Sequence, residues 1–226
     1  MIRAERYYDD HLCAHRLKRC YEIAPPRVQQ YLEAEIEHVL RHVRSTDSVL
    51  ELGCGYGRVL APLARRARVV IGIDTSLASL HLAGHEIESG RCHLICMDAS
   101  RLGFADGTFD CVICIQNGTS AFHVDQRVLI RESVRVTKPG GIALFSSYAA
   151  RFWDHRLEWF RMQVAEGLLG EIDYEKTGDG VIVCKDGFTA TTLGPDEFRD
   201  LTSDLDAQVG IEEVDGSSLF CEIVLQ

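Results

Sequence analysis

Apolar positions along the chain follow two rhythms. In residues 1–47, Leu12, Leu17 and Tyr21, then Val28, Tyr31, Leu32, Ile36, Val39, Leu40 and Val43, recur at helical spacing. Pro25-Pro26 divides this stretch into two helices. Pro26 fits the first turn of the second, where a missing N–H leaves no bond unmade. From residue 48 short apolar runs take over, at 48–52, 69–73, 92–97, 109–115 and 142–147. Helical patterns at 58–66, 77–89 and 124–136 separate most of them. The run 69–73 is apolar throughout, as in a strand covered on both faces of a parallel sheet. Strand and helix in alternation predict an α/β class with a doubly wound, mostly parallel sheet.

The last third changes character. Residues 149–169 predict a helix bearing Phe152, Trp153, Trp159 and Phe160. Residues 171–175, 181–185 and 188–193 read as short antiparallel strands about the turn Thr177-Gly178-Asp179-Gly180. A helix over 195–205 follows Gly194, and 209–214 and 219–225 form a hairpin about Asp215-Gly216. No internal repeat or low-complexity segment interrupts the chain.

The stretch the rest is arranged around is 49–58, VLELGCGYGR. A buried strand meets Glu51 and then Gly53, Gly55 and Gly57. Glycine lets the backbone turn at positive φ and lets a ligand approach the main chain. The helix behind such a turn aims unpaired N–H groups at that ligand. A dinucleotide fingerprint needs its third glycine three places after the second. That place is Arg58 here, and the third glycine comes one residue earlier. Glu51 at the strand end would repel a pyrophosphate and suits a cationic amine.

At these residues the chain resembles the class I S-adenosylmethionine-dependent methyltransferases, whose first motif reads acidic-x-Gly-x-Gly-x-Gly. Three further signals follow in order. Asp74 closes the second strand, where open sheets place ribose-binding carboxylates; it can equally cap the helix that begins after Thr75-Ser76. Asp98-Ala99 follows the third strand, where the resemblance implies contacts to adenine; a loop-capping Asp is the plainer role. Residues 109–114 and Lys138-Pro139-Gly140-Gly141 are similar to the family's fourth-strand entry and its turn before the fifth strand.

The resemblance implies S-adenosyl-L-methionine as cofactor, held by Glu51, Gly53, Cys54, Gly55, Gly57, Asp74, Thr75, Asp98, Ala99 and Gln116. It implies seven strands in the order 3-2-1-4-5-7-6. One domain over 1–226 is expected: N-terminal helices 1–47, a cofactor-binding half 48–148, an insertion 149–193, and a C-terminal helix and hairpin 194–226. The N-terminal segment, with Tyr7, Tyr8 and Tyr21, either packs on the domain or covers the cofactor cleft.

Composition narrows the partners. The 226 residues are 46% hydrophobic, enough for a full core, and carry a formal charge of −10 without a basic run. Duplex nucleic acid is therefore not an expected partner. The opening residues MIRAERYYDD are polar and show no leader pattern, and no apolar stretch reaches the length of a membrane span. Nine cysteines, several in apolar strands, read as reduced thiols of a cytoplasmic protein. Cys111 and Cys114 form a C-x-x-C, but positions three apart on a strand face opposite sides. They read as core thiols, and no metal ligand set is assigned. A metalloid substrate held by thiols would need cysteines converging over the cleft.

Methyl transfer from a sulfonium is an in-line displacement in which the cofactor carries the hard chemistry. The chain must align the acceptor and exclude water. Asn117, just past the fourth strand, Tyr8 and Trp153 are the candidate substrate contacts, and His123 or His155 the candidate base. Enzymes that methylate nucleobase amino groups carry two prolines and an aromatic after the fourth strand, where this chain reads Gln116-Asn117-Gly118-Thr119. Cytosine C5 enzymes carry a Pro-Cys there. A small-molecule acceptor remains, with oxygen, nitrogen or sulfur open. The alternatives are a non-catalytic protein that binds the cofactor or its product and uses the insertion for a partner, and an NAD(P)-dependent oxidoreductase, which Glu51 and Arg58 disfavour.

Overall fold

Val49, Leu50 and Leu52 of β1 (Ser48–Leu52) are sealed from solvent, and the sheet is built outward from this strand. The computed structural model describes residues 7–87 and 89–226; the expectations for residues 1–6 lie outside them. β1 pairs in parallel with β2 (Val69–Asp74) on one side and β4 (Phe109–Cys114) on the other. β3 (Cys92–Cys96) extends the sheet beyond β2, and β5 (Thr137–Tyr148) beyond β4. β9 (Ser218–Leu225) and β8 (Ala207–Val214) complete it, antiparallel. A separate pair, β6 (Ile182–Val183) and β7 (Thr189–Ala190), lies in the insertion. The large sheet runs β3-β2-β1-β4-β5-β9-β8, which is 3-2-1-4-5-7-6 once the insertion's short strands are left out of the count.

Helices cover both faces. α3 (Pro26–His42), α4 (Leu60–Arg66) and α5 (Leu77–Glu86) share a core with Val49, Cys111 and Ile113. α7 (Gln126–Val136) and α9 (Pro195–Thr202) share another with Leu50, Val112 and Cys114. Cys111 and Cys114 thus belong to opposite faces, as their spacing requires. Burial raises both thiols, so they stay neutral core groups.

The remaining helices are α1 (Tyr7–Asp10), α2 (Ala14–Glu22), a single turn α6 (Gly118–Ala121) and α8 (Trp153–Ala165). α6 has no counterpart in the sequence expectation. The expected turn at residues 138–141 is instead part of β5, with a register shift against β4 between Phe109 and Cys111. Lys138 Nζ lies 2.8 Å from both oxygens of Asp110, and Ser48 donates to Asp110 from its amide and its hydroxyl. Burial raises the Asp110 pKa, but these bonds outweigh it and hold the group down at about 2. The start of β1 is fastened to β4 and β5 in this way.

The insertion differs most from expectation. Its hairpin is centred on 182–190, and residues 171–175 contribute only the bridge from Ile172 to Cys184. Arg156 of the helix that opens the insertion is fully buried. It donates to the carbonyls of Gly180 at 2.8 Å and Ala190 at 3.1 Å, and its guanidinium lies 4.5 Å over the Tyr148 ring. It is the post on which the insertion is mounted.

Candidate functional site

The glycine loop turns at positive φ three times, at +70° for Gly53, +54° for Gly55 and +89° for Gly57. Asp74, at the end of β2, sets its direction. Oδ2 of Asp74 accepts from Gly55 N, and Oδ1 from Ser76 N, each at 2.8 Å. Ser76 is the cap of α5, accepting from Ser79 N, so Asp74 need not cap the helix itself.

These residues border one crevice of about 390 Å³ at the carboxyl ends of the parallel strands. Glu51, Gly53, Cys54, Gly55, Asp74, Thr75, Asp98, Ala99 and Gln116 all line it. Gly57 turns the loop without reaching the wall. Asp98 lines the crevice while its Oδ1 accepts from Ser100, at 2.8 Å from the amide and 2.7 Å from the hydroxyl. Both roles considered for Asp98 in the sequence are therefore compatible. Met97 also lines the crevice, whereas Leu77 is 69% exposed and stands away from it.

The opposite wall comes from the N-terminal helices. Tyr8, Leu12, Leu17 and Tyr21 face the glycine loop across the crevice. α2 is held there by Ala14 N donating to Ser79 Oγ at 3.0 Å and by Trp159 Nε1 donating to Cys20 O at 2.8 Å. The segment both packs on the domain and walls the crevice.

The crevice contains polar atoms that the chain itself leaves unmatched. Glu51 is 4% exposed, and burial pushes its carboxyl up to about 8, with Asp74 adding to the rise and Arg58 opposing it. Its Oε2 has no hydrogen-bond partner among the described residues. Neither do Nε and Nη2 of Arg58 or Nε2 of Gln116. The Arg58 guanidinium lies 5.1 Å over the Tyr21 ring. Buried polar groups without partners are rare and costly, so such a set indicates a polar occupant. An acid and a guanidinium side by side complement the ammonium and carboxylate of an α-amino acid.

Past β4 the backbone takes left-handed φ at two successive non-glycine residues, 57° at Gln116 and 61° at Asn117. Conformations of this kind persist only where the surroundings fix them. Gln116 N donates to Ser146 Oγ at 2.8 Å and Glu35 Oε2 at 3.1 Å. Asn117 Nδ2 donates to Thr191 O at 2.8 Å, and its Oδ1 accepts from Ser147 Oγ at 3.0 Å. Asn117 is buried by these contacts and fastens the insertion to β5, so the structure removes it from the expected substrate position.

The other candidates divide. Tyr8 and His123 line the crevice. Trp153 does not; it packs with Phe160 and Phe188 in the core of the insertion. His155 does not either; it is exposed on α8 beside Phe152, because the buried face of that helix is set by Arg156, Trp159 and Phe160. Arg58 and Phe122 line the crevice and Glu35 braces it through Gln116 N, three roles that the sequence reading did not assign. Arg58 had a signal, a cation at the mouth of the helix behind the loop. Glu35 had none, since it lies 81 positions from the amide it binds.

A family profile described as Methyltransferase domain matches residues 49–141, which run from β1 through β4 into the start of β5 and include the whole glycine loop. Residues 49–141 thus match the methyltransferase-domain family. The chain is 40% identical over 104 residues to a demethylmenaquinone methyltransferase of Corynebacterium urealyticum, covering 45% of this chain and 43% of that one. It is 31% identical over 173 residues to an arsenite methyltransferase of Aquipseudomonas alcaligenes, covering 68% and 47%. The matches thus span about half or less of these curated relatives. A crystal structure of a Pyrococcus horikoshii protein shares the fold over 98% of this chain and 96% of its own, with a TM-score of 0.65 at 21% identity. The family's cofactor is S-adenosyl-L-methionine, and the unmatched atoms of Glu51 and Arg58 fit its amino-acid end. Among the described residues no helix is long and apolar enough to cross a membrane.

Proposed function

We propose that this protein moves the sulfonium methyl group of S-adenosyl-L-methionine to a small-molecule acceptor by in-line displacement. The observation that carries the reading is the convergence of Glu51, Asp74 and Asp98, from the ends of three adjacent strands, on one crevice beside the glycine loop. Glu51 receives the ammonium and Arg58 the carboxylate of the amino-acid end. Asp74 accepts from the ribose hydroxyls, and Asp98 with the amide of Ala99 meets the adenine edge. Thr75 and Gln116 close the sides. When bound, the cofactor supplies an electrophilic methyl carbon. The chain's part is to fix that carbon before the acceptor and keep water out, and Tyr8, Leu12 and Leu17 form the wall that does so.

His123 is the group placed to take a proton from an acceptor that arrives protonated, since it lines the crevice at a backbone φ of 51°. Tyr8 faces the same space and is the proposed acceptor contact. A metalloid acceptor held by several thiols has no support: of the described cysteines only Cys54 lines the crevice, and burial raises its thiol.

Calorimetry with S-adenosylhomocysteine, NAD and NADP tests the cofactor, and a product-cofactor release assay over phenol, carboxylate, amine and thiol acceptors tests the reaction. Tight binding of S-adenosylhomocysteine alone, with turnover on one acceptor class that drops in His123→Gln, is the expected result. Binding with no turnover on any class would leave a cofactor-binding protein in place of an enzyme.

A further inference from the structure

A second constellation lies on α3 and the C-terminal hairpin, away from the crevice. His38 and His42 are four apart on the helix and so present their rings to one side. Both face Glu222 of β9. His38 Nε2 is 2.8 Å from Glu222 Oε1, and His42 Nε2 is 3.4 Å from the same oxygen. The donor atoms of all three residues lie within 4.8 Å of one another. His38 is 3% exposed, and its ring rests on Phe220 with centroids 4.2 Å apart. Its Nδ1 is buried without a hydrogen-bond partner, and the nearest acid is Glu212 of β8, with Oε1 at 3.5 Å.

We propose that His38, His42 and Glu222 form a structural site for a zinc-class divalent cation. Two imidazole nitrogens and one carboxylate oxygen are a donor set that zinc accepts. Bonds of about 2.0–2.1 Å in a tetrahedron place ligand atoms about 3.3 Å apart. The His42–Glu222 spacing already fits, and the His38–Glu222 pair needs to open by only about half an ångström. Glu212 then takes the remaining role, accepting from Nδ1–H of His38 and fixing the tautomer that turns Nε2 to the metal. His42 and Glu222 are partly exposed and give the ion its entry. A water completes the fourth position.

The site's place in the fold shows what it would do. Ser218 and Glu222 stand on one face of β9, with Phe220 between them. Glu35 of α3 accepts from Ser218 Oγ at 2.8 Å, and His38 and His42 meet Glu222 about one and two helical turns further along. The metal would close the second end of this helix–strand seam, whose first end holds the Gln116 loop through Glu35. It does not touch the crevice, so the inference stands or falls independently of the proposed reaction.

The test uses the full chain, stripped with chelator and titrated with ZnCl2 by calorimetry and thermal shift, and with CoCl2 by absorption. Wild type is expected to take up one equivalent that raises Tm and gives a cobalt spectrum without thiolate charge transfer. His42→Ala and Glu222→Gln are expected to lose that equivalent while still binding S-adenosylhomocysteine as wild type does, which shows that they fold. Glu212→Gln is expected to weaken zinc affinity about 10–100-fold while retaining the stoichiometry. Equal zinc binding in wild type and all three variants, or a cobalt spectrum dominated by thiolate, would overturn the site; so would a wild type that takes up no zinc, leaving the residues as an ion-paired seam.

Discussion

Asp74 and Gly55 are joined by a 2.8 Å hydrogen bond from the loop amide to the carboxylate, so the end of β2 and the turn after β1 move as one unit. The same carboxylate holds the Ser76 amide. Asp74→Ala therefore removes both the proposed ribose contact and the brace of the loop. Hydrogen bonds to a charged group contribute about 1.5–3 kcal/mol each, so affinity for S-adenosylhomocysteine should drop about 100-fold or more. Calorimetry measures it; an unchanged dissociation constant would refute the ribose role.

Glu51 predicts a proton release. Burial holds it protonated near neutral pH, with a pKa of about 8. An ammonium placed against it favours the ionised form. Binding of S-adenosylmethionine at pH 7 should therefore expel a proton, seen as a dependence of binding enthalpy on the buffer's ionisation heat. Glu51→Gln should abolish that dependence. A wild type with the same enthalpy in every buffer contradicts the pairing.

The same burial gives a pH dependence of stability without ligand. Glu51 and Glu35 have folded-state values of about 8 and about 7, both raised by desolvation above the unfolded 4.5. Between those limits the unfolded chain binds fewer protons than the folded one, so stability is full below about pH 4.5 and falls as pH rises through 7 to 8. Denaturant midpoints should decline over that window in wild type and less steeply in Glu51→Gln and Glu35→Gln. Asp110 works in the opposite sense, its low value making a contribution that is lost only as pH falls from 3.8 towards about 2. Parallel wild-type and variant curves between pH 4.5 and 8 would dispose of the assignment.

Gly53 tests the close approach of the loop. It stands at φ +70°, and a β-carbon there would collide with the ring of Phe122, which also lines the crevice. Left-handed backbone costs an L-residue about 1–2 kcal/mol, and the ring must also be displaced. Gly53→Ala should lower stability by that order and weaken cofactor binding more than Gly140→Ala, which has the same sign of φ but open space around it. Equal cofactor affinities in the two variants would count against a crowded loop.

Arg156 should matter to folding. It is buried without a carboxylate and bonded to two carbonyls of the insertion. Arg156→Ala takes the guanidinium from both carbonyls, leaving Gly180 O the 3.3 Å bond from Thr192 Oγ1, and opens space under Tyr148, a loss of about 3 kcal/mol or more. Arg156→Lys cannot reproduce the fork and should recover only part of it. Urea titration separates these cases, and an alanine variant as stable as wild type would show that the insertion is mounted otherwise.

The strand positions, the glycine loop and the carboxylates Glu51, Asp74 and Asp98 were legible before any coordinates. Each depends on spacing within one short segment, and a buried strand followed by a tight turn leaves a local trace in residue type. Asn117, Arg156, Arg58 and the seam of His38 with Glu222 were not legible in their roles. Asn117 looked like a substrate contact because it follows β4; only the insertion, returning 74 positions later, turns its side chain towards Thr191. Arg156 gave no local sign of its role, because nothing near it in the chain shows that two distant carbonyls enclose it. His38 meets Glu222 across 184 positions. The chain by itself determined where the strands and helices of the large sheet lie and where the loop opens, since those follow from local sterics and the burial of apolar runs. The tertiary structure alone decided which polar side chains lose their water, and with it their charge, partners and chemistry.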